Sequence, residues 1–566
     1  MLLQKIVAPE EGFGYPEMYL RGSETLSLKA GETITLDTYY NSFSYTQYRA
    51  YTKVDIVKFT MKFSGSLKVQ LYVYNGEEKI VSECTGENFA EVSAKLWNLP
   101  EKGFLYPKIT ALSDTIITEA GYYSEAVPKS INCCIAFCTF RREQYIINNL
   151  KRLKSMPFTF IKKIFVIDNG NTLSQTQLTD DFVSVLKNKN YGGSGGFTRG
   201  LIEAYNGEFT HVILMDDDVE LMPEKLEQMT VFMSFLKDEY ASAHFSAAML
   251  SDSKPYIQYE MGASWSGTKI INSKHNVDIR DRDVLFDNLS NDNIQYGAWW
   301  CFCLPVSDID KHGLPFPFFI KFDDVEYGLR CCKKSNIITM NGVAVRHEDF
   351  DKKYSMHLEY YAVRNQLVMN EALGLQGMGS VIRKLISVTA RHTMYYRYEN
   401  LDIVYRAFKD FLKGVDFFLE CDDEKLNTEL MKKAMELREL TKIKSWNEDM
   451  RNDEHYGNNY FTPAMVLTLG GHLVPSFLLK KEVTAVPLSR LGLSDTFLRK
   501  EVIQYQIGGN SGVLTKRSFS KFLSYSFKSL GMMFRIIFTY GKARKSFRKR
   551  KGEITGMSFW KNHLGL

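Results

Sequence analysis

The segment HVILMDDDVELMPEKL (residues 211–226) begins as a short apolar run of strand type and ends in three consecutive carboxylates, Asp216, Asp217 and Asp218. Like charges side by side repel, and their burial costs free energy unless a cation compensates them. Alternate side chains at a strand end share a face, so Asp216 and Asp218 should point together and Asp217 away. Two convergent carboxylates suit a hard divalent cation that also binds a diphosphate. A solvated acidic loop or a helix start is the alternative.

Strands alternate with helices upstream of this segment. INCCIAFCTF, from Ile131, and KKIFVIDNG, from Lys162, are two more strand-type runs, and the helical pattern REQYIINNLKRLKSM lies between them. This alternation predicts a parallel sheet of the nucleotide-binding α/β type, whose ligands collect at the carboxyl ends of the strands. Arg142 follows the first run and Asp168 lies at the end of the second. We therefore predict a binding site along this edge of the sheet.

A glycine-rich segment, NKNYGGSGGFTRG (residues 188–200), precedes the acidic triplet. It contains Asn190 and four glycines in five positions, of which Gly192 and Gly193 are the first two. Glycines let a backbone approach a ligand closely, and the residues that follow have a helical pattern. The segment matches neither the dinucleotide fingerprint nor the P-loop, so a flexible turn is equally consistent with it.

The stretch GAWWCFCLPVSDIDKHGLPFPFFIKFDDVEYGLRC (residues 297–331) contains two adjacent tryptophans, Trp299 and Trp300. On a strand the two side chains cannot face one core, so at least one is expected to reach a pocket. Aromatic faces stack on the apolar faces of sugars, which makes a sugar platform one interpretation. Packing in the core is the other.

Two further acidic residues, Asp323 and Asp324, follow an apolar aromatic run in the same stretch. Shielding from water would raise the pKa of such a carboxyl towards that of a working general base. An N-cap role is the alternative for Asp323. His347 follows the short apolar run GVAVR, and it is either a metal ligand at a strand end or an ordinary histidine.

The remainder of the chain divides into regions of different pattern. Residues 1–128 alternate with period two and carry frequent turn residues, which predicts a β-sandwich or jelly-roll. This domain is interpreted as a scaffold, or alternatively as a carbohydrate-binding module that uses Tyr39, Tyr40, Tyr48 and Trp97. The α/β region is assigned to residues 129–375, a helical domain to 376–515 and a basic tail to 516–566.

Composition limits the class of protein. The 566 residues are 45% hydrophobic and 24% charged, as in folded soluble proteins. The nine cysteines form no CxxC pair and no signal segment is evident at the start, which favours a reducing cytosol. No apolar stretch reaches the roughly 18 to 20 residues that span a bilayer. We therefore expect a cytoplasmic protein without a transmembrane helix.

The tail concentrates positive charge: residues 516–561 contain thirteen Lys or Arg and one acidic residue. Apolar residues recur in it at intervals of three or four, as in an amphipathic helix; they are Phe519, Phe522, Leu523, Phe527 and Leu530. This pattern predicts peripheral binding to an anionic membrane surface. The alternative is a core-packing helix with a solvated or nucleic-acid-binding tail, and no nucleic-acid-binding motif accompanies the charge.

Taken in order, the motifs TFRR, VIDNG, NKNYGGSGGF, MDDD, WW, FIKFDDVEYGLR, VRHEDF and YYAVRNQLV resemble those of inverting glycosyltransferases with the GT-A fold. Among these the chain is similar to bacterial galactofuranosyltransferases that build cell-wall galactan. The resemblance is dense over residues 131–368. It implies a Rossmann-like GT-A nucleotide-sugar domain between an N-terminal β-sandwich and a C-terminal, mostly helical domain.

The resemblance also implies roles for matching residues. Asp216, Asp218 and His347 would hold Mn²⁺ or Mg²⁺, and Asp324 would be the base that deprotonates the acceptor. The residues implied on the donor side are Arg142, Asp168, Asn190, Gly192, Gly193, Asp217 and Lys321. Those implied on the acceptor and sugar side are Trp299, Trp300 and Asp323.

Three positions depart from the family pattern, and all lie on the acceptor and sugar side. Phe350 stands in place of a tryptophan, Ala362 in place of a histidine, and residues 261–265 lack an expected acid. The identity of the donor sugar is therefore predicted less directly than the metal and the base.

The function expected from the sequence is metal-dependent, inverting transfer of a sugar in cell-wall polysaccharide synthesis. The expected donor is UDP-galactofuranose, and the acceptor a lipid-linked or cell-surface glycan at the inner face of the membrane, with a homo-oligomer as a possible state. A rhamnose or hexopyranose donor is the first alternative. A catalytically silent glycan-binding or assembly protein on this fold is the second.

Overall fold

The computed structural model describes residues 1–7, 26–290, 293–332, 336–349, 355–443, 448–508 and 512–566. The chain forms two compact units. The first comprises Met1–Leu314 and Tyr327–Glu348, and the second comprises Pro315–Glu326 and Asp349–Leu566. The four-region division at residues 128, 375 and 515 stays a prediction. The departure at Phe350 lies outside the described residues.

The N-terminal part of the first unit is an antiparallel β domain with one short helix. Its elements are β1 (Leu2–Lys5), β2 (Leu26–Leu28), β3 (Thr33–Thr35), α1 (Tyr45–Tyr51), β4 (Ile56–Tyr74), β5 (Glu78–Lys95), β6 (Phe104–Ala111) and β7 (Thr115–Tyr123). One edge of β4 pairs with β5. The other pairs first with β7 and then with β6, so the long strand joins all seven strands into one hydrogen-bonded sheet. The predicted N-terminal β domain is confirmed, and its sandwich or jelly-roll form stays a prediction.

Three of the four aromatic residues considered for glycan binding in this domain are core residues. Tyr39, Tyr40 and Tyr48 are buried, and Tyr39 and Tyr40 pack in one hydrophobic cluster with Met222 and Leu285 of the α/β part. Trp97 is exposed, with the guanidinium carbon of Arg49 4.9 Å from its ring centroid. The tyrosines therefore stabilise the fold, and the scaffold interpretation is favoured.

A seven-stranded sheet organises the α/β part. The elements from residue 133 to residue 234 are β8 (Cys133–Thr139), α2 (Glu143–Leu153), β9 (Ile161–Asp168), α3 (Gln175–Leu178), β10 (Val183–Lys187), α4 (Gly192–Asn206), β11 (His211–Asp216), β12 (Glu220–Leu221) and α5 (Pro223–Ser234). Strands β10, β9, β8 and β11 lie side by side and parallel. The predicted parallel sheet is thus confirmed for these strands, and the apolar runs of β8, β9 and β11 are buried on both faces.

The remaining strands of this part complete the sheet and add a second one. The elements are β13 (His244–Ser246), β14 (Ala248–Ser251), β15 (Ile257–Glu260), β16 (Ala263–Trp265), β17 (Ile270–Asn272), β18 (Val277–Asp278), α6 (Arg282–Asn288), β19 (Phe302–Pro305), α7 (Asp308–His312), α8 (Asp323–Cys331), β20 (Ile337–Ile338) and β21 (Ala344–His347). Strand β19 pairs antiparallel with β11 and β13. A five-stranded sheet, in the order β12-β21-β14-β15-β18, carries His347 at the end of β21.

The second unit is mostly helical, as predicted, but it also contains a small sheet. Its elements are α9 (Met356–Ala372), α10 (Met378–Met394), α11 (Asn400–Phe411), α12 (Asp416–Glu420), α13 (Asp423–Thr441), β22 (Lys442–Ile443), α14 (Pro463–Leu467), β23 (Thr484–Pro487), α15 (Leu493–Thr496), β24 (Glu501–Tyr505), β25 (Gly512–Lys516), α16 (Phe519–Thr555) and α17 (Met557–Leu564). Strands β22, β25, β24 and β23 form the sheet. Its strands are too short for a clear alternation in the sequence.

The basic tail is a helix that belongs to the core of the second unit. One face of α16 is buried, and Phe547 stacks on Phe411 with ring centroids 5.8 Å apart. The fully buried carboxylate of Glu371 accepts hydrogen bonds from the Tyr540 hydroxyl at 2.5 Å and from Arg548 Nε at 3.2 Å. The helical pattern is therefore confirmed, while some of the basic residues neutralise a buried acid. Among the described residues, no helix is long and apolar enough to cross a membrane.

Candidate active site

The three carboxylates that end β11 point in the alternating directions predicted for them. Ligand atoms of Asp216, Asp218 and His347 all lie within 4.8 Å of one another, whereas Asp217 is outside this group. Asp217 is buried, and it accepts a hydrogen bond from Thr139 Oγ1 at 2.7 Å. The structure thus brings together the three residues predicted as metal ligands.

The cation required beside the triplet is the guanidinium of Arg142. Its Nη1 lies 2.9 Å from Asp217 Oδ1 and 2.7 Å from Asp218 Oδ2. Burial by itself lowers the pKa of Arg142, but the two carboxylates raise it, and the net change is upward. Burial also raises the pKa of Asp217, and Arg142 and Thr139 oppose that change. Arg142 therefore offsets charge repulsion between neighbouring acids.

Strand pairing explains why His347 reaches the acidic group. Strand β12 begins two residues after Asp218, and its Glu220 pairs with Arg346 of β21, next to His347. The Arg346 guanidinium also bridges to the Glu220 carboxylate, with Nη2 2.5 Å from Oε2. As a result, Nε2 of His347 lies 3.3 Å from Asp218 Oδ1. Neither Glu220 nor Arg346 was singled out by sequence, because the pairing of distant short strands has no local signal.

The hydrogen bond at the other ring nitrogen identifies the tautomer of His347. Its Nδ1 lies 2.7 Å from the carbonyl oxygen of Glu348, which can only accept, so Nδ1 carries a hydrogen. A neutral ring then presents the lone pair of Nε2 to the Asp218 carboxylate. Two acceptors that face each other require a cation between them, either a proton or a metal ion. Metal-ligating histidines in proteins commonly have this second hydrogen bond.

The glycine-rich segment forms the first turns of a helix. Helix α4 begins at Gly192, whose φ of 68° suits glycine, and whose N–H donates to Asn190 Oδ1 at 3.1 Å. A Cβ at Gly196 would lie 2.2 Å from Cys138 Sγ of β8, and one at Gly200 would lie 2.5 Å from Ala136 Cβ. The flexible-turn interpretation is therefore wrong. The later glycines let the helix pack tightly on the sheet, and Gly192 and Gly193 lie in its first turn.

Asp168, predicted on the donor side, is engaged by its own loop. It is fully buried, and its carboxylate accepts from the N–H groups of Gly170 at 3.0 Å and Leu173 at 2.8 Å. Its neighbour Asn169 bridges to the start of α4, because Nδ2 donates to the Gly192 carbonyl at 2.9 Å. These bonds order the loop after β9 beside the glycine-rich helix. The role of Asp168 towards a nucleotide stays a prediction.

Both tryptophans are buried, and they lie in a turn before β19. The premise that they occupy a strand is therefore wrong. Trp299 packs edge-on against Phe197, and its indole N–H has no acceptor among the described residues. Trp300 Nε1 donates to the Ala247 carbonyl at 3.1 Å, and its ring centroid is 6.5 Å from that of His347. Trp300 thus lies beside the candidate metal ligand. A sugar contact for either tryptophan stays a prediction.

In the second unit, a strained turn precedes Asp323 and Asp324. Phe319, Lys321 and Phe322 have φ values of 68°, 70° and 68°, a region that bulky residues rarely adopt. Each such residue costs about 1–3 kcal/mol and persists only where its surroundings enforce it. The two acids then begin helix α8, in which Asp323 is the first helical residue and not the N-cap that was the alternative for it.

Two fully buried residues of α9 hold this turn. Nδ2 of Asn365 donates to the carbonyl oxygens of Ile320 at 3.0 Å and Lys321 at 2.8 Å. Nη2 of Arg364 donates to the Phe318 carbonyl at 2.8 Å. These are positioning residues that the sequence reasoning did not assign. Both are among several polar residues of α9, so nothing local distinguishes them.

The environment of Asp324 suits a general base. Burial raises the pKa of its carboxyl to about 6, although the Val325 N–H, which donates to Oδ1 at 2.8 Å, and the charge of Lys321 act to lower it. At neutral pH the group is therefore mostly ionised but retains more basicity than an ordinary aspartate.

Comparison with known proteins gives two family-model matches. Residues 16–125 match the galactofuranosyltransferase 2 N-terminal domain, and residues 134–277 match glycosyl transferase family 2. The second match contains β8 to β11 and the acidic triplet.

Two relatives cover most of the chain. Galactofuranosyltransferase GlfT2 of Mycolicibacterium smegmatis is 25% identical over 463 residues, which are 73% of this chain and 71% of that protein. GlfT2 of Mycobacterium tuberculosis is 25% identical over 470 residues, 73% of this chain and 72% of that protein. Among solved structures, mannosyltransferase PcManGT from Pyrobaculum calidifontis, in complex with GDP-Man and Mn²⁺, is 12% identical to this chain. The two structures superpose with a TM-score of 0.30, and the match covers 55% of this chain and 88% of that chain.

The family 2 match and the two relatives agree with the α/β fold of the region that contains β8 to β11. The chain is a glycosyltransferase of the GT-A fold, with a family 2 domain that follows an N-terminal domain of the galactofuranosyltransferase 2 type.

Proposed function

We propose that the protein transfers galactofuranose from UDP-galactofuranose to a lipid-linked or cell-surface glycan, with inversion at the anomeric carbon, in cell-wall polysaccharide synthesis. The observation that carries the proposal is the group formed by Asp216, Asp218 and His347 inside a family 2 domain. The names of the two relatives support galactofuranose as the sugar. A rhamnose or hexopyranose donor remains the alternative.

The donor atoms of this group fit a divalent cation such as Mn²⁺ or Mg²⁺. Two carboxylates supply hard oxygen ligands, and the Nε2 lone pair of His347 faces the same space. Such an ion, when bound, stabilises the negative charge that develops on a departing diphosphate. Arg142 already lies against Asp218, so it can keep the site compact before the cation binds.

The donor nucleotide is proposed to bind along the strand ends of the first unit. Gly193 in the N-terminal turn of α4 is proposed to offer its N–H group to an anion, and Gly192, whose N–H donates to Asn190 Oδ1, is proposed to shape that turn beside the anion. Asn190 and Arg142 contribute polar groups, while Asp168 and Asp217 hold the surrounding loops. Lys321 is proposed to lie near the transferred sugar. Trp299, Trp300 and Asp323 are proposed to contact the acceptor or the sugar.

Asp324 is proposed to act as the base. Its carboxylate takes the proton from the acceptor hydroxyl as that oxygen forms a bond to the anomeric carbon. The bond from the same carbon to the diphosphate oxygen breaks on the opposite face, which inverts the configuration. Arg364 and Asn365 contribute by holding the turn that presents Asp324.

The donor specificity can be tested directly. Purified full-length protein with a short galactan acceptor and Mn²⁺ should form a longer product from UDP-galactofuranose, and at most about 1% as much from UDP-galactopyranose or dTDP-rhamnose, a difference of roughly 3 kcal/mol in transition-state binding. Product formation is measured by mass spectrometry, and nuclear magnetic resonance assigns the anomeric configuration.

EDTA provides the control for this assay, since it should abolish transfer and excess Mn²⁺ or Mg²⁺ should restore it. Equal use of the three donors would contradict the proposed specificity. Undiminished transfer in EDTA would contradict the metal requirement.

Asp324→Asn should lower kcat roughly 10²-fold or more, because the amide cannot accept the proton, while UDP binding persists. In the wild type, the base is active when ionised, so kcat/KM should fall as the pH decreases through about 6, the pKa of Asp324. The measurement is the pH profile of initial rates together with UDP binding by calorimetry.

Asp323→Asn is the matched control, because it removes an adjacent charge and leaves Asp324 in place. It should alter the KM for the acceptor and retain the acidic limb of the profile. A near-normal kcat in Asp324→Asn, or loss of the acidic limb in Asp323→Asn alone, would exclude Asp324 as the base.

Peripheral binding to the cytoplasmic face of the membrane is proposed through the outer face of α16. Its exposed apolar residues follow one another at intervals of three or four, as in a single stripe; they are Phe519, Leu523, Phe527, Leu530, Phe534 and Phe538. Leu467 and Phe477 add to the exposed apolar area of this unit. Arg517, two residues before α16, links this helix to the loop that contains Gly471, because its Nη1 donates to the Gly471 carbonyl at 2.8 Å.

Basic residues accompany the stripe and favour an anionic surface. Arg535 lies within the apolar segment, where Lys521 and Lys528 are paired with Glu399 and Asp402. A Lys or Arg near an anionic membrane contributes about 1 kcal/mol.

The double variant Phe527→Glu and Phe534→Glu should reduce binding to vesicles with anionic lipid at least tenfold, because it places two acids on the proposed contact face. Co-sedimentation of the full-length protein measures this, and high salt should release the wild type. Removal of the tail is unsuitable, since the inner face of α16 belongs to the core.

Phe89→Glu is the control, because Phe89 is an exposed phenylalanine on β5 of the first unit. It should bind vesicles as the wild type does. Unchanged binding of the double variant would show that α16 is not the contact face.

A further inference from the structure

Helix α17 reaches the segment of the second unit that carries Asp324. This segment begins at Pro315, and the Pro315 carbonyl accepts a hydrogen bond from Nε1 of Trp560 at 2.9 Å. Both residues are buried, and Trp560 is only 1% exposed. The indole N–H and the carbonyl therefore depend on each other as hydrogen-bond partners, because water does not reach them. A bond between residues 245 positions apart thus joins α17 to the start of the turn.

The local sequence explains how Trp560 is presented to the turn. Helix α16 ends at Thr555, and Gly556, with φ −77° and ψ 150°, is an extended residue between the two helices. Trp560 and Leu564 are the two buried residues of α17. Because they are four positions apart, they lie on the same face of the helix. This face, which carries the indole N–H, points into the core of the second unit.

Trp560 binds a fourth carbonyl in a turn whose backbone is strained. Arg364 and Asn365 bind three others, those of Phe318, Ile320 and Lys321. Residues with unfavourable φ values, as in this turn, persist only where the surrounding structure enforces them. The residues of α9 fix the middle of the turn, and the bond from Trp560 fixes its start.

A row of aromatic rings connects α16 with the same turn. The ring centroid of Phe547 lies 6.4 Å from that of Phe418 on α12, and the Phe418 centroid lies 6.2 Å from that of Phe318. All three side chains are buried. The consecutive helices α16 and α17 therefore support the turn in two ways, through ring packing and through the hydrogen bond from Trp560.

We propose that Trp560 is a positioning residue for the transfer reaction, because its indole N–H holds the Pro315 carbonyl and so fixes the turn that presents Asp324 to the acceptor. The proposal rests on the proposed role of Asp324 as the base. Trp560 acts through the backbone of the turn, so its loss changes the geometry of the base and not the binding of the nucleotide. Core packing is the alternative role, and it affects the stability of the second unit without a selective effect on the turn.

Hydrogen exchange of the full-length protein, measured by mass spectrometry, tests the bond itself. Trp560→Phe removes the indole N–H and leaves an aromatic ring in the core. The amides of residues 316–326 should then exchange at least about fivefold faster than in the wild type, because the turn opens more often. The amides of residues 211–218 in the first unit should exchange at the wild-type rate. Equal exchange of residues 316–326 in the two proteins would overturn the proposal.

The kinetics of Trp560→Phe give a second readout. The value of kcat should fall at least about fivefold, while the Kd for UDP stays within about twofold of the wild type, because a misplaced base slows the reaction without altering donor binding. Burial raises the pKa of Asp324, so a looser turn that admits water should lower this pKa. The acidic limb of the kcat/KM profile should accordingly move below about 6. An unchanged kcat together with an unchanged acidic limb would reduce Trp560 to a packing residue.

Replacement of Trp560 by 3-benzothienylalanine separates the hydrogen bond from packing. This side chain has nearly the size of the indole and lacks its N–H group. It should reproduce the faster exchange of residues 316–326 and the lower kcat. Wild-type exchange and kcat in this variant would show that the volume of the ring, and not the hydrogen bond, matters, and would overturn the proposal.

Two further variants control for a general loss of stability. Ile536→Val removes one buried methyl group from α16, so it should lower the midpoint of thermal unfolding and leave the exchange of residues 316–326 and the acidic limb unchanged. Ser558→Ala removes an exposed hydroxyl from α17 and should behave as the wild type does. If Ile536→Val accelerates exchange in the turn as much as Trp560→Phe does, the effect is one of stability and the proposal fails.

The exchange measurement also distinguishes failure of this proposal from failure of the proposed function, because it requires no transfer reaction. If Asp324→Asn is as active as the wild type, Asp324 is not the base and the kinetic part of the proposal is overturned with it. If Asp324→Asn is inactive and Trp560→Phe changes neither exchange nor kcat, the base stands and the positioning role of Trp560 is overturned alone.

Discussion

The compensation of negative charge at the end of β11 is the constraint on which the arrangement of the first unit depends. Three adjacent carboxylates at the edge of a buried sheet repel one another, and each needs a positive or hydrogen-donating neighbour. Arg142 supplies this for Asp217 and Asp218 from the turn after the adjacent parallel strand. Asp216 and Asp218 are left with a shared face towards His347, and the three residues together could hold a metal ion.

The sheet edges and loops around Asp216, Asp218 and His347 hold these residues in position. The pairing of β12 with β21 carries His347 to Asp218, and the Glu348 carbonyl selects the tautomer whose Nε2 lone pair faces the acids. Tight packing of the glycine-rich helix on β8 places its N-terminus at the same sheet edge. In the second unit, a different device holds Asp324: a strained turn whose carbonyls are bound by Arg364 and Asn365. Side chains that must be positioned accurately need such rigid support from the residues around them.

Much of the fold could be predicted from the sequence, because it rests on local periodicity. The runs that became β8, β9 and β11 are apolar on both faces, and the acidic triplet alternates as an extended chain must. The sequence also predicts the amphipathic helix α16, but it does not show which of the two apolar faces of that helix is buried. One packs into the core, and the other is exposed.

What could not be predicted depends on long-range packing. The glycines of α4 resemble a flexible loop until Cys138 and Ala136 are known to lie against them. Adjacent tryptophans suggest a platform only if they lie on a strand, and here they are buried in a turn. Arg364 and Asn365 gain their role from carbonyls more than forty residues earlier in the chain. Contacts of this kind leave no pattern in one sequence.

The most direct test of the central claim is Mn²⁺ binding, measured by electron paramagnetic resonance on the full-length protein with UDP present. The account predicts one bound Mn²⁺ in the wild type, and an affinity at least about tenfold lower, or about 1.4 kcal/mol, in Asp218→Asn and in His347→Ala. Asp323→Asn, outside the group, should bind Mn²⁺ as the wild type does. Equal affinity in all four proteins would contradict the account, because the carboxylates at the end of β11 would then not be the metal site.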